Sequence, residues 1–75
     1  MDEGFILSNK YRRVIFDDLA SGETNIDRIA KKQRIIPHVA HKIAEEFING
    51  GVLEKKENKY FLTEEGKKLS AKISE

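Results

Sequence analysis

The chain is 75 residues long, has no cysteine, and carries 14 lysines and arginines against 13 acids, a formal net charge of +1. That length fits one domain, and without cysteine there is neither a disulfide framework nor a cysteine-ligated zinc module, so apolar packing must hold the fold. No apolar run approaches the roughly 20 residues of a membrane span, and the opening MDEGFILSNK lacks a basic segment followed by a long apolar stretch, so the expectation is a soluble, unprocessed, cytoplasmic protein.

Leu7, Tyr11, Val14, Ile15 and Leu19 recur at helical spacing, which predicts a first helix over residues 9–20, capped by Ser8 and stopped by Ser21-Gly22. A second helix begins at Asn25 as N-cap and turns Ile26, Ile29 and Ala30 inward. It fades around Gln33 or Arg34, because Pro37 restricts Ile36 to an extended or turn geometry. Pro37 suits the first position of a third helix, 37–49, with Val39, Ala40, Ile43 and Phe47 inward and Gly50-Gly51 at its end. The period then changes. Segments 52–55 and 59–62 read as a hairpin with the charged tip Lys56-Glu57-Asn58, in which Phe61 is expected in the core and Tyr60 on the exposed face. Thr63 caps a last helix over residues 64–73, with Glu64 and Glu65 in its first turn and Leu69 and Ile73 as anchors. The expected fold class is α+β, mainly α, as a single domain over residues 1–75 with a core of about 8–73.

Charge is distributed unevenly despite the balanced total. From Arg28 to Lys42 the chain carries Arg28, Lys31, Lys32, Arg34 and Lys42 with two histidines and no acid, while Asp2, Glu3, Asp17, Asp18, Glu23 and Asp27 crowd the first third. Two short helices joined by a tight turn must pack across one another against the first helix, which leaves one face of the later helix to solvent. A helix is the right width for a DNA major groove, and the outward positions here include His38, His41, Lys42 and Glu45. The hairpin beside it brings Lys55, Lys56, Asn58 and Lys59 toward a phosphate backbone or the neighbouring minor groove.

Asn25-Ile26-Asp27-Arg28-Ile29-Ala30, Ile35-Ile36-Pro37-His38-Val39-Ala40, Gly51-Val52-Leu53-Glu54-Lys55-Lys56 and Tyr60-Phe61-Leu62-Thr63-Glu64-Glu65-Gly66 follow one another at fitting intervals. In that order, over residues 8–70, the chain resembles the winged helix-turn-helix family, particularly bacterial and archaeal regulators of the MarR and ArsR type. It departs from them in having Lys32-Gln33-Arg34 where the turn usually holds a glycine, and Ile36 where the recognition helix often starts with serine or threonine. The resemblance implies a helix-helix-helix-hairpin-helix domain that binds double-stranded DNA as a transcriptional regulator. Its helix 37–49 would lie in the major groove and its wing, 54–60, against the backbone. His38, His41 and Lys42, with Arg34 near the turn, are then the base-facing set. Arg28, Lys31, Lys32, Lys55, Lys56 and Lys59 are the phosphate contacts, with Asn58 at the wing tip.

Competing chemistry is thin. His38, His41 and Glu45 are spaced so that a metal ion could be held only with further ligands from elsewhere, so no metal or cofactor is expected. Asp17 and Asp18 are adjacent and point apart on a helix, and no serine, histidine and acid set suggests nucleophilic catalysis, so the chain is not expected to be an enzyme. Glu45 is expected at the rim of the interface and Glu46 toward the wing or solvent. A homodimer through Tyr11 or Phe16, or through Leu69 and Ile73, stands beside a monomer. The rival function is a winged helix that binds protein, such as another transcription or DNA-processing protein, without reading DNA.

Overall fold

Residues 1–74 are described by a computed structural model, and the first element is one that the periodicity did not foretell. Helix α1 spans Glu3–Leu7, with the Asp2 carboxylate accepting from the Phe5 amide at 3.0 Å, and it plants Ile6 in the core. Ser8 closes α1 rather than opening the next helix. Asn9 is the N-cap of α2, Lys10–Ala20, its side-chain oxygen accepting from the amides of Tyr11 and Arg12. The buried face of α2 is Ile15, Phe16 and Leu19, whereas Tyr11 is left 48% exposed. Phe16 meets Phe47 edge to face with ring centroids 5.6 Å apart, the centre of the core.

Helix α3, Ile26–Gln33, starts on Asn25, whose side chain accepts from the Arg28 amide. It ends in a left-handed residue, as helices commonly do, but the residue is Arg34, at φ 57°. The Ile35 amide then donates back to the Ala30 carbonyl at 2.9 Å, and Ile35 is buried. So the chain turns without a glycine because an arginine takes up the glycine conformation. Helix α4, Pro37–Asn49, follows with proline in its first turn and no side-chain cap at Ile36. Ala40, Ile43, Ala44 and Phe47 form its buried stripe.

Strands β1, Leu53–Lys56, and β2, Lys59–Leu62, pair antiparallel, with Leu53 opposite Leu62, Glu54 opposite Phe61, Lys55 opposite Tyr60 and Lys56 opposite Lys59. The loop is therefore two residues, Glu57 and Asn58, both at positive φ (50° and 69°), as a tight twisted hairpin turn demands. This corrects the expected placement of the aromatics. Tyr60 is 6% exposed and Phe61 is 40% exposed. The sequence suggested a three-residue tip; the two-residue turn sets a register in which Tyr60 shares the body-facing side with Leu53, and alternation puts Phe61 outside with Glu54. The Tyr60 amide also donates to the Thr24 carbonyl at 2.9 Å, tying the hairpin to the segment between α2 and α3.

Glutamate at φ 50° is strained in a way that asparagine is not. Glu57→Asn is expected to stabilise the domain by about 0.5–1 kcal/mol, read as a thermal midpoint raised by a few degrees. An unchanged or lowered midpoint would contradict the two-residue turn.

Helix α5, Glu64–Ser74, begins after Thr63, whose hydroxyl accepts from the Gly66 amide and donates to the Gly51 carbonyl. Its lysines pair with acids nearby, Lys67 with Glu64, Lys68 with Glu65 and Lys72 with Glu3 of α1. No helix of the described residues is long and apolar enough to cross a membrane.

Candidate nucleic-acid interface

Exposed positions on α4 define the site. His38, Lys42, Glu45 and Asn49 recur at steps of four, three and four residues and form one outward stripe. His41 lies to one side of this stripe, where its Nε2 is 2.8 Å from Asp27 Oδ1 on α3. A carboxylate only accepts, so this contact puts the proton on Nε2 and holds the ring toward α3 rather than straight out. Lys42 forms the opposite edge of the stripe, beside a shallow depression formed with Tyr11, Arg12, Val39 and Glu46.

The first helix of the pair contributes unequally. Asp27 faces α4 through His41, and Lys31, one turn later, continues that edge as an exposed cation. Lys32 points elsewhere: its Nζ is 3.3 Å from Asp18 Oδ1, and Gln33 Nε2 donates to the other oxygen of the same carboxylate at 2.9 Å. Sequence reasoning does not single out Asp18 as buried, although an acid on the apolar stripe between Ile15 and Leu19 signals a needed partner. It braces the end of α3 against α2, immediately before the turn. Arg28 lies within 4.0 Å of Glu23, whose other oxygen accepts from the amides of Thr24 and Asn25.

On the wing, Lys55 sits over the Tyr60 ring, 5.6 Å from its centroid, and Lys56 pairs with Glu54 at 3.1 Å. Lys59 and Asn58 are exposed at the tip. A groove of about 230 Å³ runs between the start of α3, the flank of α4 and the hairpin, lined by Asn25, Asp27, His41, Lys55, Asn58 and Tyr60. Thus Lys31, Arg34, Lys42, Lys55 and Lys59 make no ion pair among the described residues, whereas Arg28, Lys32 and Lys56 do. Glu46 points away from the wing and keeps its side chain 39% exposed while pairing with Arg12, which it holds through two nitrogens at 3.2 and 3.4 Å. Arg12 in turn donates to the Phe5 carbonyl and lies over the Phe5 ring, so one guanidinium joins α1, α2 and α4. No group of three or more His, Cys, Asp or Glu side chains that could hold a metal ion occurs among the described residues.

No protein-family model matches the chain, and no curated protein matches it. Among solved structures it is similar to a MarR family protein of Mycobacterium tuberculosis, with a TM-score of 0.78 and 14% identity over 95% of this chain and 56% of that one. It is also similar to the homodimeric winged helix-turn-helix DNA-binding domain of a possible ArsR-family transcriptional regulator of Mycobacterium bovis. There the TM-score is 0.75 and the identity 26%, over 95% of this chain and 70% of that one. The chain therefore has the winged helix-turn-helix fold of the MarR and ArsR type, α+β and mainly helical, and it spans a little over half the length of the first of these proteins.

Proposed function

We propose that the chain is a double-stranded DNA-binding protein, a transcriptional regulator that reads the major groove with α4 and grips the backbone with its wing, residues 54–60. It is not an enzyme; its scaffold is that of a binding domain, working on this reading as one unit in the cytoplasm. The observation that carries the reading is the set of five unpaired cations on α3, the turn, α4 and both wing strands, which flank the outward stripe of α4. Backbone phosphates are the polyanion that such a spread fits, and they supply affinity without sequence information. Likeness to a domain described as DNA-binding supports the same reading. Within the site, Lys31, Lys42, Lys55 and Lys59 take phosphates, and Arg34 and His38 stand at the leading end of α4, where base contacts are made. Lys32, Arg28 and Lys56 serve first as braces, and His41 as a link between α3 and α4.

A homodimer would set two such helices on one face of a duplex. Leu7 and Tyr11 are exposed for that contact, but Phe16, expected at the same surface, is buried and cannot take part. The same exposed Tyr11, with Phe61 on the wing, favours the second reading, in which the partner is another protein.

Arg34 tests the first reading because its two roles oppose each other. Glycine would adopt φ 57° without strain, so Arg34→Gly is expected to stabilise the domain by about 1 kcal/mol. The same change removes a cation from the leading end of α4 and is expected to weaken duplex binding about tenfold. Thermal melts and fluorescence anisotropy on one preparation read both signs; a stabilised variant with undiminished affinity would take Arg34 out of the interface.

A further inference from the structure

We propose that Ile36 is a base-reading residue that docks against the C5-methyl group of a thymine in the major groove. The inference rests on the DNA-binding reading above and adds to it a source of sequence preference. Ile35 and Ile36 are consecutive in the turn, and their side chains take opposite sides. Ile35 is 6% exposed and tied by its amide to Ala30, while Ile36, at φ −59° and ψ 127°, is 69% exposed, more than any other large apolar residue described. Among the described residues nothing covers that exposed surface.

Residue type and place are also at odds. Ile36 is the N-cap of α4, where serine, threonine or aspartate would accept from the first free amides, and it makes no side-chain cap bond. Water and helix chemistry thus both disfavour isoleucine here, and a ligand with a recessed apolar group removes the conflict with water. The neighbours narrow the choice of ligand. Arg34 and Lys31, both without ion pairs among the described residues, lie just before it, and the outward face of His38 lies just after it. A partner that is anionic at its rim and carries an isolated methyl group within reach of a helix start is duplex DNA, whose major groove presents the thymine methyl as its apolar mark.

The test uses the intact chain. A preferred duplex is selected from a randomised pool, and each thymine is then replaced in turn by deoxyuridine, which lacks only the methyl. At one thymine per bound copy the replacement is expected to weaken wild-type binding about fourfold, the worth of one buried methyl group. Ile36→Val should keep that sensitivity. Ile36→Ala should bind both duplexes equally, with the salt dependence of wild type, since no charge has changed. The inference is overturned if no thymine methyl matters to wild type, the result expected if Ile36 meets a protein instead, or if the sensitivity survives in Ile36→Ala. Failure of wild type to bind any duplex at low salt overturns the DNA-binding reading itself and this inference with it. Because Ile36 is exposed, melting curves of the variants should match that of wild type, which separates weakened binding from unfolding.

Discussion

Gly66→Ala is expected to destabilise the domain by about 2 kcal/mol and lower its thermal midpoint by about 10 °C. A methyl group at this position would collide with the Val52 carbonyl oxygen, and it would crowd Leu62 Cβ at 3.2 Å. The obstacle is backbone, so no side chain can swing aside. Moreover, the Val52 carbonyl already accepts from the Thr63 amide at 3.0 Å, and Thr63 caps α5 through the Gly66 amide. Alanine would otherwise favour a helix by up to about 1 kcal/mol over glycine, so the sign of the effect is the informative part. Gly4, also helical, provides the contrast: its nearest neighbour to an added methyl is Asp2 Oδ1 at 3.4 Å, an ordinary contact, and Gly4→Ala should be neutral or stabilising. If Gly66→Ala melts at or above wild type, α5 does not lie against the base of the wing as described. Through that contact α5 fixes Val52 and hence the angle at which the hairpin leaves the body.

Reversing three unpaired cations together, Lys31→Glu, Lys42→Glu and Lys59→Glu, is expected to cut affinity for duplex DNA on the order of a hundredfold near 0.1 M salt. It should also lower the slope of log affinity against log salt by close to three, about 0.9 for each phosphate no longer neutralised. These residues come from α3, α4 and β2, are exposed, and make no ion pair among the described residues, so the variant should keep its fold. Lys32→Glu is the instructive comparison. It would set a second carboxylate against buried Asp18, 3.3 Å from the present ammonium group, and its main effect should be on stability. Equal losses of affinity from the triple reversal and from an equally charged reversal of Lys67, Lys68 and Lys72 on α5 would reduce the interface to net charge.

The helices α2 to α5 were legible from apolar spacing, from Asn25, Pro37 and Thr63 as start signals, and from Gly50-Gly51 as a stop. What the sequence did not disclose depends on contacts between distant residues or on a register set by one turn. Helix α1 is five residues long, too short to persist by itself, and is held by Ile6 in the core and by Arg12 on Phe5. Its presence puts the N-cap of α2 at Asn9 rather than Ser8. Tyr60 and Phe61 exchanged places because Glu57-Asn58, unlike the usual Asn-Gly, did not announce a two-residue turn. At the site, the residue types and the face were readable, but their pairings were not. That Lys32 is held by Asp18, His41 by Asp27 and Glu46 by Arg12 is a property of how three helices cross. Those pairings divide the basic residues into braces and free cations.

The most direct test of the DNA-binding claim is the equilibrium affinity of the intact chain for random-sequence duplex DNA, followed by fluorescence anisotropy as salt rises from about 50 to about 200 mM. Binding should be measurable at the low end and fall linearly in logarithmic coordinates with a slope of about −4 to −5, as expected if Lys31, Arg34, Lys42, Lys55 and Lys59 each displace a counterion. No binding at the lowest salt, or binding whose affinity is indifferent to salt, would contradict the claim that this winged helix grips a phosphate backbone.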